Sequence, residues 1–487
     1  MPTPLVLAID IGTSSTRTAL FDVEGHRQPG TTAQQGYDLL TSADGRAELE
    51  PGVLLGAVTN CITESLNKRR TDPLLRGKAV AGIGVSCFWH SFLGVNARGE
   101  AGTRIYTWAD SRCRDDAARL RKERCEAEVH ARTGCMLRAS FWPAKMAWLW
   151  RTDERHFKNV KQWMSPAEWL QLQLAGDANC AIGMAAGTGL FDQTKLDWDP
   201  RMLKLCRLSP EKMRPLSDAP SPVRGKLAAQ FPELKEAMWF PGIGDGAAGN
   251  LGSGATKPGL AAINVGTSAA IRVMREGAQA GAPLGLFCYR VDAKRYLVGG
   301  AVSNAGNLRA WCLRELAITD GPKLEASLAT RPGPDHGLLV LPFWTAERAP
   351  EWNEDAAGAI HGLRQSTTAL DLLQAITEAT YHRIARIHEL LVAGEKAAPR
   401  LIVSGGVQKS AVSLARIANV LGQNVHACDE PEASTRGAAI YAIEKLGFPV
   451  PEQRLAIPVK PQLKLMRQYA QERERQRALE KLLAGFQ

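Results

Sequence analysis

The sequence predicts a mixed α/β protein of two lobes built to one plan, and three observations carry that prediction. Residues 5–22 read LVLAIDIGTSSTRTALFD, an apolar β-rich run, a tight Gly/Thr/Ser turn and a second run ending in Asp22. Residues 261–274 read AAINVGTSAAIRVM, so setting Gly12 on Gly266 also sets Thr13 on Thr267 and Ser14 on Ser268. Strand-like and helix-like runs alternate between and after these copies. A single echo is not a solenoid, whose repeats run ~20 to 50 residues in three or more copies. It fits an N-terminal lobe over 1–250, a C-terminal lobe over 251–450 and a tail over 451–487.

In chain order, the first copy is a hairpin with a polar tip, and KAVAGIGVSCFW (78–89) reads as a strand. PAEWLQLQLAG (166–176) reads as a helix. After the second hairpin come GLLVLPFW (337–344), strand-like, and ALDLLQAITEATYHRIARIHELL (369–391), with apolar positions at helical spacing. RLIVSGG (400–406) is a buried strand ending in a Gly-Gly turn. In the following SAVSLARIANVLG, Ser410 is placed to cap the helix start and Gly422 to stop it. QERERQR in the last twenty residues alternates sign at helical spacing, which predicts a solvent-facing helix that packs on the body or supports a homodimer.

At 487 residues the chain exceeds one core, since ~150 residues per domain is usual. Its 45% hydrophobic and 23% charged residues exclude disorder as the main state. The net charge of +10 is scattered, which argues against a nucleic-acid partner and for a bias toward anionic ligands. Ten cysteines form no Cys-x-x-Cys and no zinc-site spacing, so reduced, mostly buried thiols are expected. The start lacks a leader pattern and no run of ~18 apolar residues occurs, so no membrane partner and a cytoplasmic setting are expected.

The chemistry begins at the first hairpin tip, Asp10, Gly12, Thr13, Ser14, Ser15, Thr16 and Arg17. Glycine lets backbone approach a phosphate, successive N–H and hydroxyl groups donate to its oxygens, and Asp10 at the strand end is placed for a hydrated magnesium ion. Alone, the same residues would also satisfy an ordinary surface turn. The second copy, Asn264 to Ser268 with Gly266, Thr267 and Ser268, favours two tips clamping a triphosphate. No G-x-x-x-x-G-K-[ST] run is present, so the grip is not a P-loop.

FPGIGDGAAGNLGSG (240–254) contains Gly244-x-Gly246-x-x-Gly249 but not the preceding strand and later acid of a dinucleotide fingerprint. What remains is Asp245 between glycines, read either as a helix N-cap or as a general base that takes a hydroxyl proton during phosphoryl transfer. Those glycines would leave room for two substrates. In CFWHSFLGVN and TWADSR, Trp89, His90, Trp108, Asp110 and Arg112 combine flat apolar faces with donors and acceptors suited to a polyol. His90 alone also reads as a satisfied, partly buried imidazole.

These residues resemble the FGGY carbohydrate kinases over roughly residues 5 to 445. DIGTSSTR and NVGTS are similar to that family's two phosphate motifs, and GIGDGAAGNLGSG to the segment of its catalytic Asp, which falls on Asp245. VSGGVQKS with PEASTRGAAIYA is similar to its adenosine stretch, which implies nucleotide contacts at Gly405, Gly406, Lys409 and Ser410. The resemblance implies an actin-like, ribonuclease-H-like fold whose cleft closes on ATP, Mg2+ (through water on Asp10 and Asp245) and a sugar.

WHSFLGVN, YTWADSR and LPFWTAERAPEWN (341–353) are most similar to gluconokinase segments, which implies D-gluconate, with Arg112, Lys145, Arg348 and His90 as unranked candidates to hold its carboxylate. Trp89-His90 stands where glycerol kinases usually carry Arg-Glu. Ala346, Trp89 and Thr377 depart from the family pattern without touching the phosphate or base motifs. A pentulose such as xylulose or ribulose, or another polyol, is the alternative acceptor. A non-enzymatic actin-like ATP-binding module is the remote one.

Overall fold

Two sheets organise the computed structural model, which describes residues 3–484. The first has seven strands: β1 (Leu5–Ile11), β2 (Ser15–Asp22), β3 (Ala33–Gly36), β4 (Val80–Cys87), β5 (Ser221–Pro222), β6 (Met238–Trp239) and β7 (Ile243–Gly244). Their order is β5-β6-β4-β1-β2-β3, with β7 also paired to β4. β1 is antiparallel to β2 and parallel to β4. Helix α1 (Pro51–Thr71) packs on β2 and β3.

The second sheet has six strands: β8 (Leu260–Val265), β9 (Ala269–Glu276), β10 (Phe287–Arg290), β11 (Arg295–Val302), β12 (Arg400–Ser404) and β13 (Val425–Ala427), ordered β10-β11-β9-β8-β12-β13. β8 is antiparallel to β9 and parallel to β12, which is parallel to β13. The run β11-β9-β8-β12-β13 therefore repeats the pairing of β3-β2-β1-β4-β6, and the echoed hairpins are the same two strands of the same plan. β1 is buried at all seven positions and β8 at four of six, because each is an inner strand covered on both faces.

Helix α2 (Asp245–Gly252) starts from β7, and α3 (Ala369–Val392), α4 (Ala411–Leu421), α5 (Ala433–Lys445) and α6 (Leu463–Leu483) follow the second hairpin. Helix α5 packs on α2 and on β1 and β4 of the first sheet, so the chain returns to where it began. Small residues allow that approach: a methyl group added at Gly84, Gly252 or Gly437 would overlap the facing backbone of α5 or α2. Ser410 caps α4, accepting the Ser413 N–H at 3.1 Å, and Gly422 ends it at φ 67°. The 337–344 run forms strand only over Leu339–Leu341.

The tail helix is not solvated all round. Leu465, Tyr469, Glu472 and Gln476, on one helical face, are buried against the body. Tyr469 donates to Glu378 at 2.9 Å, Gln476 donates to the Val340 carbonyl at 2.7 Å, and Glu472 meets His336 and His382. Alternating charge hid this face, because Glu472 meets His336 and, on α3, His382 rather than water. All ten cysteines are free thiols and only Cys125 is exposed. Among the described residues, no helix is long and apolar enough to cross a membrane.

Candidate active site

Parallel pairing sets the first acids side by side. Asp10 on β1 registers with Ser86 on β4, and Ser86 with Ile243 on β7, two residues before Asp245. The hairpin then turns over Gly12, whose N–H donates to the Ser15 carbonyl at 2.9 Å and whose carbonyl accepts the Tyr37 hydroxyl at 2.6 Å. Ser14 is exposed at the tip, Arg17 pairs with Glu432 at 3.3 Å, and Thr435 of α5 donates to Asp10 at 3.5 Å.

Asp245 is the first residue of α2, with Gly244 as the cap. Among the described residues its carboxylate accepts only the adjacent Gly246 N–H, at 2.7 Å, and Gly244 holds the cap position, so Asp245 does not serve as an N-cap. Burial raises the Asp245 pKa, and Arg272 and Arg348 pull it back. Asp10, 7% exposed, is pushed up to about 6, chiefly by burial; the Ser86 hydroxyl and Arg17 oppose that rise, and the charges of Asp245 and Glu432 add to it. Two raised carboxylates that repel each other are a hard-oxygen donor set of the kind that takes a hydrated Mg2+, and a cation there would lower both.

β4 delivers the next group. Trp89 donates to the Gly183 carbonyl at 2.8 Å and lies where methyl groups on Gly187, Gly244 and Gly246 would be. The space beside Asp245 that the glycines are expected to leave for two substrates is taken, at Gly244 and Gly246, by the Trp89 indole. Tyr289 meets this indole edge-on, with ring centroids 4.9 Å apart. His90 adopts φ 66°, unusual for a residue with a side chain, and its Nδ1 bonds the Gly187 carbonyl. Its ring packs 4.7 Å from Phe141 and 5.5 Å from Tyr289.

Trp108 joins this cluster to the hairpin: its Nε1–H donates to Thr13 Oγ1 at 3.0 Å, and its backbone N–H donates to Ser91 at 3.0 Å. Arg348 stacks over its ring at 5.0 Å and donates to the Val302 carbonyl at 3.2 Å. Asp10, Thr13, Trp108, Arg348, Asp245 and Arg272 are thus linked in one site.

The second hairpin, by contrast, is tied to β12 and to the segment after β11. Asn264 stands where the first has Asp10 and donates to Ser404 at 3.1 Å. The Gly266 and Thr267 carbonyls accept the N–H groups of Gly306 and Asn307 at 2.9 and 3.1 Å, and the Gly266 N–H donates to the Ser268 carbonyl at 2.9 Å. Gly405, directly after β12, has φ 90° and sits so close to Val265 that a side chain would overlap its carbonyl. Gly406 and Lys409 are exposed beside it, and the Ser410 hydroxyl donates to Glu325 at 2.7 Å.

The N-terminal domain of the FGGY family of carbohydrate kinases matches residues 5–252, and its C-terminal domain matches residues 261–444. The chain belongs to this family. The kinase is a phosphotransferase with an alcohol group as acceptor, and its fold is the two-lobed actin-like one. It is 28% identical to a gluconokinase of Bacillus subtilis over 461 residues, covering 91% of this chain and 88% of that one. A gluconate kinase structure from Lactobacillus acidophilus matches with a TM-score of 0.90 at 23% identity, over 99% of this chain and 98% of that one. A ligand-bound xylulose kinase structure from the same organism matches with the same score, identity and coverage.

Of four cations offered for a substrate carboxylate, three are engaged elsewhere. Arg112 is held by Asp110, at 2.6 Å, and by Glu48, and stacks on Trp148 at 4.4 Å. Asp110, 1% exposed, also accepts the Ala47 N–H at 3.2 Å, so this pair anchors the Trp108 turn. Lys145 is buried and donates to the Ala139 carbonyl. Burial drives the His90 pKa down to about 3, which keeps its ring neutral. Arg348 remains, joined by Arg272, whose signal was an arginine in the middle of the apolar strand AAIRVM.

Proposed function

We propose that this kinase transfers the γ-phosphate of ATP to the terminal hydroxyl of a sugar acid, with D-gluconate giving 6-phosphogluconate and ADP. One observation carries the choice of an acid. Arg272 and Arg348 both act on Asp245, and among the described residues each has a buried Nε–H without an acceptor. Burial pushes both guanidinium pKa values down, that of Arg348 to about 10. Buried charged donors without partners cost free energy, and a carboxylate supplies charge-assisted acceptors that a neutral polyol lacks.

In this reading Asp245 accepts the proton of the attacking hydroxyl, while Trp108 and His90 line the acceptor and Trp89, behind Asp245, holds the base in place. Asp110 and Arg112 support the Trp108 turn. Gly12, Thr13, Ser14, Ser15 and Arg17 face the phosphates from one lobe, and Gly266, Thr267 and Ser268 from the other. Gly405, Gly406, Lys409 and Ser410 flank the adenosine. Asp10 and Asp245 would hold Mg2+ through water, where its charge would offset that of the transferring phosphoryl group.

A pentulose acceptor is the second reading, favoured by the equal likeness to a xylulose kinase structure. ADP release measured with gluconate, xylulose, ribulose, glycerol and erythritol separates the two. Gluconate is expected to give the highest kcat/KM, and Arg272→Gln to cut that advantage about tenfold to a hundredfold. Turnover of xylulose without turnover of gluconate would overturn the first reading.

A further inference from the structure

Arg348 has few restraints of its own: one hydrogen bond to the Val302 carbonyl and the Trp108 ring beneath it. The residues around it are fixed from the opposite side. Glu347 and Glu351 turn away from the site, and both pair with Arg383 of α3. Glu351 also pairs with Arg386, one turn along the same helix. Glu480 of the tail helix then bridges both guanidinium groups, with Oε2 at 2.9 Å from Arg383 and 2.6 Å from Arg386.

Two cations thus sit among three carboxylates from the loop and the tail. Arg383 and Glu347 are 1% and 3% exposed. The loop backbone is closed by Glu347 N–H to Asn353 at 3.0 Å, Ala349 N–H to Ala301 at 3.1 Å and Trp352 N–H to Arg348 at 2.6 Å. A shift of Glu347 and Glu351 would therefore carry Arg348 with it.

We infer that the tail helix, which follows the family-matched segment ending at 444, acts as a brace for the acceptor site. Glu480 and Arg386 are positioning residues for Arg348, although neither is among the groups that line the site. This rests on the reading of Arg348 as an acceptor-binding group. Buried ion pairs often add little net stability but restrict geometry, which is the role assigned to this network.

A double-mutant cycle tests it: wild type, Glu480→Gln, Arg348→Ala and the double variant, assayed with whichever acceptor the wild type uses best. Glu480→Gln should raise the acceptor KM about tenfold with kcat and the KM for ATP held within about twofold, and should add nothing in the Arg348→Ala background. Glu480→Asp should recover most of the loss. An unchanged acceptor KM in a folded Glu480→Gln protein overturns the brace, as does an effect that adds in full to that of Arg348→Ala. Normal acceptor kcat/KM in Arg348→Ala removes the reading of Arg348 and the brace with it, whereas failure of gluconate alone removes only the choice of sugar.

Discussion

The two glycine hairpins share a Gly-Thr-Ser turn and a strand plan but not a charge. The first ends at Asp10, a buried carboxylate beside Asp245; the second has Asn264 at the matching position, satisfied by Ser404. A buried cation of the second sheet, Arg272 on β9, acts across to Asp245. Duplication therefore supplies two similar turns, which the proposed function sets against the phosphates, and unequal substitution gives the site a direction. Acids gather at the strand ends of one sheet, and arginines approach from the other half of the chain.

The sharpest test of that asymmetry is to remove the base. Asp245→Asn should lower kcat by about a thousandfold or more while ATP binding, followed by calorimetry, persists. Near-normal turnover would show that the acid cluster is not where the proton goes.

Next in size is an exchange between the hairpins. A carboxylate whose pKa moves from its ordinary 3.8 to about 6 on folding is destabilising in its charged form. That penalty, about 3 kcal/mol, is fully present above about pH 6 and is relieved as pH falls to about 4. Asp10→Asn should thus raise Tm near pH 8 while impairing turnover, with the gain fading near pH 4; Asn264→Asp should lower Tm near pH 8. Equal melting of both variants and wild type across this range would mean that the hairpins do not differ electrostatically.

The smallest effect concerns the turns themselves. A methyl group at Gly12 would lie 3.0 Å from the Ser15 carbonyl oxygen, whereas at Gly266 the nearest atom is 3.9 Å away. Gly12→Ala should cost about 1 kcal/mol of stability in a denaturant titration and Gly266→Ala less than about 0.5. Equal losses would remove the steric distinction.

Much of this was legible in sequence because it is local. Alternation and turn chemistry mark both hairpins, Ser410 and Gly422 bracket their helix, and the acid between Gly244 and Gly246 stands out on composition alone. What sequence hid depends on register and on distant pairs. Arg272 reads as one residue of a strand until the fold brings its buried guanidinium within electrostatic reach of Asp245. Arg112, Lys145 and His90 look as suitable as Arg348 until burial and partners are known. The tail reads as solvated because the acids and bases that receive it lie some ninety residues upstream.

The indole of Trp89 sets how the acceptor site uses its binding energy. It is wedged among Gly187, Gly244 and Gly246 and donates to the Gly183 carbonyl, so its ring is held in place by packing and by a hydrogen bond. The entropy of ordering the wall behind Asp245 is spent once, when the chain folds, and is not levied again on each acceptor that arrives. If Asp245 is the base of the proposed reaction, an incoming acceptor meets a wall that is already ordered.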